Sequence, residues 1–134
     1  MSIERVNPDT LLYWPQMAQV VVTSGQKLAF ISGQTATDKD FTVQHAGDLA
    51  AQSRLSLQNL KLALEAVGSS PEQVVSTTVY IVDLDSERSG LFAEAMQDAL
   101  DGQPFPPHAT SLIGIKSLGS PDLVVEISAV AVVP

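Results

Sequence analysis

The chain contains no cysteine, which removes disulfides, thiol catalysis and thiolate metal sites together. Histidine is almost as scarce: His45 and His108 lie far apart, and neither falls in a metal-ligand spacing. Basic residues are few, 7 Lys and Arg against 15 Asp and Glu, giving a formal charge of −8. Such a surface repels phosphate backbones and anionic headgroups, and there is no basic stripe with interleaved aromatics. The expectation is therefore no nucleic acid and no membrane as partner. No apolar run approaches the roughly 20 residues a bilayer-spanning helix needs. The opening "MSIERVNPDT" carries charge early and lacks the apolar centre of a signal peptide, so a cytoplasmic protein is expected. A G-x-S-x-G nucleophile elbow and a phosphate loop are both missing.

What remains is the composition of a folded domain: 45% hydrophobic and 16% charged over 134 residues, read as one domain, 1–134. The predicted order is β-β-α-β-α-β-β. Met17–Thr23 and Leu28–Gln34 read as strands joined through the turn "SGQK", hence a hairpin. Asp48 is a candidate N-cap for a helix with Leu57, Leu60, Leu64 and Val67 on one stripe and Leu55, Leu62 and Ala66 on another. Gly68 ends that helix, and "SPEQ" resembles a capping box with proline at its first position. Val74–Asp83 is a strand with apolar residues on both faces. A second helix is expected from Ser86 to about Leu100, and "DGQPFPP" breaks it. Two further strands follow, in "HATSLIGIKSL" and "DLVVEISAVAVV".

Right-handed crossovers place both helices on one face of such a sheet. The last strand nevertheless carries Leu123, Val125, Ile127, Ala129, Ala131 and Val133 on one side and Val124, Val130 and Val132 on the other. At about 25 cal/mol per Å², leaving a second apolar face in water forfeits several kcal/mol, out of a total stability of about 5–15 kcal/mol. A homo-oligomer with sheets packed face to face follows as an expectation.

Polar residues inside this apolar pattern are the candidates for chemistry. Alternation puts His108, Thr110, Leu112 and Lys116 on one face of a strand, with Ser111, Ile113 and Ile115 on the other. Glu126 stands alone in the last strand, where a carboxylate must be hydrogen-bonded or open to a cleft. Each has an ordinary reading beside the functional one: His108 as a strand-entry surface residue, Glu126 as the cap of a hydrogen-bond network, Lys116 as a solvated cation, and Ser32-Gly33-Gln34 as turn chemistry. Chemistry alone stops at a small α+β oligomer with a polar patch.

The segments "LAFISGQTATD", "NLKLALEAVGSSPEQVVSTTVYIVDL" and "VVEISAVAV" together resemble the Rid family, the YjgF-like reactive-intermediate deaminases also labelled L-PSP endoribonucleases. The resemblance runs from Met17 to Val133. It implies a chorismate-mutase-like α+β fold, a mixed sheet with two helices on one face, assembled as a homotrimer with a small-molecule cleft between subunits. It further implies hydrolysis of 2-imino acids to 2-keto acids without metal or organic cofactor. An arginine in a "P-A-R-S" segment would grip the substrate carboxylate, a last-strand glutamate would position water, and a tyrosine would close the pocket. Here "HATS" replaces "PARS", so Thr110 stands at the arginine position. Met17 stands near the tyrosine position and Leu91 near a family asparagine. Glu126 and Ser32-Gly33-Gln34 match the family pattern.

By this resemblance the catalytic candidate is Glu126, and the ligand-binding candidates are Thr110, Ser32, Gly33, His108 and Met17. A threonine hydroxyl cannot reproduce the planar, charged fork of a guanidinium. The chain thus looks like an arginine-lacking branch of the family. It is expected to be either a binder or a hydrolase of a small metabolite other than a standard imino acid. The alternatives are an imine deaminase with His108 or Lys116 standing in for the arginine, and a ribonuclease or translation inhibitor.

Overall fold

The computed structural model describes residues 2–24 and 27–134. The "SGQK" turn falls on Gly25 and Gln26 and so lies outside the described residues. Six strands and two α-helices are present among them: β1 (Ser2–Val6), β2 (Val20–Ser24), β3 (Leu28–Gln34), α1 (Leu49–Glu65), β4 (Val74–Val82), α2 (Ser86–Asp98), β5 (Ala109–Ile115) and β6 (Val125–Val132). A single 3-10 turn, Pro71–Gln73, leads into β4. The architecture is the α+β arrangement expected from the sequence, a mixed sheet with two helices.

The sheet runs β3-β6-β4-β5. β6 pairs antiparallel with both β3 and β4, while β4 and β5 are parallel neighbours. α1 and α2 are therefore the crossovers of two βαβ units, the first split by β6 lying between β3 and β4. The anticipated hairpin of the second and third strands does not form. β2 pairs instead with β1, Ser2 opposite Ser24 through Val6 opposite Val20, in a separate two-stranded ribbon. The reason lies in β1, a strand absent from the sequence reading: it offers β2 a partner in a ribbon of its own. Arg5 latches β1 to the body of the fold, donating from Nε to the Pro107 carbonyl at 2.6 Å and from Nη2 to the Glu72 carbonyl at 3.0 Å.

Local signals account for most ends of the two α-helices. Asp48 accepts from the Ala51 amide, the N-cap bond expected of it. At the other end of α1, Gly68 has φ +75°, and the Ser69 and Gly68 amides donate to the Leu64 and Glu65 carbonyls. That pair of bonds is a Schellman motif, which favours glycine at the left-handed position. Asp85 caps α2 by accepting from the Arg88 amide. The "SPEQ" capping box is not made: Ser70 occupies the N-cap position, but its side chain makes no capping bond.

Leu57, Leu60 and Leu64 of α1 enter the core with Val79 and Ile81 of β4, Phe92 and Met96 of α2, and Val125, Ile127 and Ala129 of β6. Val67 and Leu62 are exposed. The side of α1 that turns inward instead carries Gln52, Ser53 and Ser56, all fully buried. Gln52 ties two loops together, the one at Gln44–His45 and the one at Asp122–Val124. Its Nε2 faces the carbonyls of Gln44, His45 and Asp122 at 2.9–3.2 Å, and its Oε1 accepts from the Val124 amide. Among the described residues, no helix covers the opposite face of the sheet. Phe30 is 78% exposed there and Ile113 41%, beside Ser76, Thr78, Tyr80, Ser128 and Val130.

Candidate functional site

Three segments enclose a cavity of about 270 Å³ at the β5 edge. Leu12, Trp14, Gln16 and Met17 come from the loop ahead of β2, Ser89, Phe92, Ala93 and Met96 from α2, and Thr110 and Leu112 from β5. The loop is held in place by backbone bonds. Met17 bridges to His108, and the Ala18 amide donates to the His108 carbonyl at 2.9 Å. The wall is largely apolar with a few polar tips, the usual character of a small-molecule pocket. None of its lining residues is cationic.

Behind Thr110 runs a chain of hydrogen bonds. The Thr110 and Thr77 hydroxyls lie 2.8 Å apart, Thr77 Oγ1 is 2.8 Å from His108 Nε2, and His108 Nδ1 is 2.8 Å from the Pro106 carbonyl. Parallel register sets Thr110 directly beside Thr77. His108 is only 1% exposed and meets the edge of Phe105 at a 5.4 Å ring separation. Burial drives its pKa down from 6.5 to about 4; the bond to Pro106 opposes the shift, and the nearby Arg5 charge adds a smaller push downward. The imidazole is neutral at physiological pH, so His108 is a buried structural base and not a surface cation at the strand entry.

The other candidates sit on the opposite side of the sheet. Glu126 is half-buried on the helix-free face, opposite Tyr80 in the β4–β6 register. Its side chain lies across Gly33: a Cβ placed there would come within 2.6 Å of Glu126 Cγ. Gly33 is required as a floor for the carboxylate, next to the register shift between Ile31 and Gln34. Ser32 is exposed beside it, and Gln34 Nε2 donates to the Ser32 carbonyl. One chain therefore brings Met17 and Thr110 together with His108 behind them, and separately brings Ser32, Gly33 and Glu126 together. It does not join the two groups. Lys116 is exposed just past the end of β5 and does not line the cavity, and Leu91 packs toward the core.

Sequence reasoning missed Thr77, Trp14, Phe92 and Met96. Thr77 had a legible signal, since it shares the inward face of β4 with Val79 and Ile81, where a hydroxyl needs a partner.

A split-βαβ sheet with one covered face and a cavity at its parallel edge defines the class of this protein as an α+β fold of the YjgF type. The endoribonuclease L-PSP family model matches residues 15–133, and the chain belongs to that family, which includes the Rid and RutC proteins. A Rid-family protein of unknown function from Yersinia pestis has the same fold, with a TM-score of 0.84 and 28% identity over 98% of this chain and 99% of that one. Among curated relatives, the mitochondrial protein mmf2 of Schizosaccharomyces pombe is 30% identical over 98% of each chain. A RutC family protein of Synechocystis is 32% identical, covering 87% of this chain and 85% of its own.

Proposed function

We propose that the protein is a homotrimer that binds a small, uncharged or weakly polar metabolite in clefts between subunits and is not a standard imino-acid deaminase. The observation that carries this reading is the cavity around Thr110, which has an apolar wall and no cationic lining residue. An arginine–carboxylate pair is a charge-assisted contact worth about 1.5–3 kcal/mol, roughly ten- to a hundredfold or more in affinity. A neutral hydroxyl cannot supply it. Neither candidate substitute restores the charge: His108 is sealed behind Thr77 in its neutral form, and Lys116 lies beyond the strand end and does not line the cavity.

The helix-free sheet face supports assembly, because Phe30 and Ile113 are exposed and Val130 is only half-buried in the single chain. The Glu126 patch and the cavity lie on opposite faces of one sheet, so on this reading the two meet only across subunits. Glu126, with Ser32 and Gly33 beside it, is then the group able to accept a ligand hydrogen bond or to activate water. We read the protein as cytoplasmic on its acidic, cysteine-free composition; no helix among the described residues is long and apolar enough to cross a membrane.

The test is a coupled assay in which an amino-acid oxidase generates 2-imino acids and their loss is followed with a trapping reagent. The expected rate with this protein is that of the uncatalysed control, and enzymatic acceleration would overturn the reading. Sedimentation at micromolar concentration is expected to give a trimer, and a stable folded monomer would remove the assembly from it.

A further inference from the structure

The hydrogen-bond chain behind Thr110 has a direction that its chemistry fixes. The Pro106 carbonyl can only accept, so His108 Nδ1 carries the proton that bridges their 2.8 Å separation. The ring is fully buried and meets no carboxylate among its hydrogen-bond partners, which leaves Nε2 as a bare acceptor. Thr77 Oγ1 must then donate its single proton to Nε2. With that proton committed, Thr77 can only accept from its other neighbour, so Thr110 Oγ1 donates to Thr77. Thr110 has no proton left for the cavity it lines.

We propose that Thr110 presents only an acceptor lone pair to the cavity, so that the site selects a neutral, largely apolar molecule carrying one N–H or O–H donor and rejects carboxylates. This rests on reading the cavity as the ligand site. The selection is the opposite of what a guanidinium at the same position imposes: a donor fork calls for an acceptor anion, whereas an oriented acceptor calls for a donor. Trp14, Phe92, Met96 and Leu112 take the apolar body of the ligand, and Gln16 and Ser89 are the other polar side chains within reach.

Two measurements test the proposal. Nitrogen-detected NMR of the histidine rings in the whole protein should show His108 protonated at Nδ1 and bare at Nε2 at pH 7. A proton on Nε2 would overturn the inference whatever binds. Protein-observed NMR titrations should then compare 2-pyrrolidinone, its N-methyl derivative and butanoate. The N–H lactam is expected to shift resonances of Trp14 and Thr110 and to bind about tenfold more tightly than its N-methyl analogue, the yield of one hydrogen bond, with no shift from butanoate. Thr110→Val should bring the two lactams within about twofold of each other, and Thr110→Ser should retain the preference. Equal binding of both lactams to the unaltered protein would refute the donor selection while leaving the cavity as the ligand site. Failure of all three probes to shift cavity resonances would overturn the site and the inference with it.

Discussion

Replacing His108 by glutamine should flatten one part of the protein's pH–stability profile. An unfolded histidine titrates near 6.5, and burial brings the folded value to about 4. Between those two values the unfolded chain holds a proton that the native state refuses, so stability falls as pH drops. The contribution is fully present above pH 6.5 and is lost progressively down to pH 4. At about 1.4 kcal/mol per decade of proton affinity the whole displacement amounts to about 3 kcal/mol, of which about 2 kcal/mol is lost between pH 7 and pH 5. Urea unfolding of wild type and His108→Gln at half-unit steps across that range reads it directly. Carboxylates titrate in both proteins and largely cancel in the difference. The variant is expected to be less stable at pH 7, having lost the bond to Pro106 and the edge contact with Phe105, and its deficit should shrink by about 2 kcal/mol by pH 5. Parallel profiles would refute the buried neutral imidazole and the direction of the hydrogen-bond chain built on it.

Two further outcomes follow from the interior of α1. Gln52→Leu strands the Val124 amide and takes the donor from three carbonyls, so urea denaturation should show a loss of about 3 kcal/mol or more. Ser53 and Ser56 bury hydroxyls that have no hydrogen-bond partner among the described residues. Ser53→Ala and Ser56→Ala should each raise the unfolding free energy, read by urea denaturation, by about 0.5–1.5 kcal/mol from relief of the buried hydroxyl and the better helix propensity of alanine.

Periodicity and caps made most of the fold legible in advance. The Leu57-Leu60-Leu64 stripe, Asp48, Gly68 and the β-branched run from Val74 each act through local rules, and local rules can be read from a sequence. β1 was hidden because "SIERV" is short and carries the charges of Glu4 and Arg5; its stability comes from β2 and from Arg5 reaching Pro107 and Glu72, contacts distant in sequence. The inward side of α1 was misread for a similar reason. Gln52 looks like a surface residue until the loops at Gln44 and Asp122 fold over it.

At the site, the alternation that put His108 and Thr110 on one face was legible, and so was the absence of a cation. What alternation could not supply was Thr77, one strand away, which turns His108 from an exposed candidate into the hidden end of a relay. Nor could it show that Glu126 and Thr110 lie on opposite faces of the sheet. That follows from the β4–β6 and β4–β5 registers taken together.

Calorimetric titration of 2-oxobutanoate, a stable 2-keto acid carrying the carboxylate that an imino acid would present, tests the central claim most directly. The protein is expected to give no binding heat at millimolar ligand, while Thr110→Arg, which restores a guanidinium to the cavity, should gain measurable affinity. Micromolar binding of 2-oxobutanoate by the unaltered protein would contradict the account.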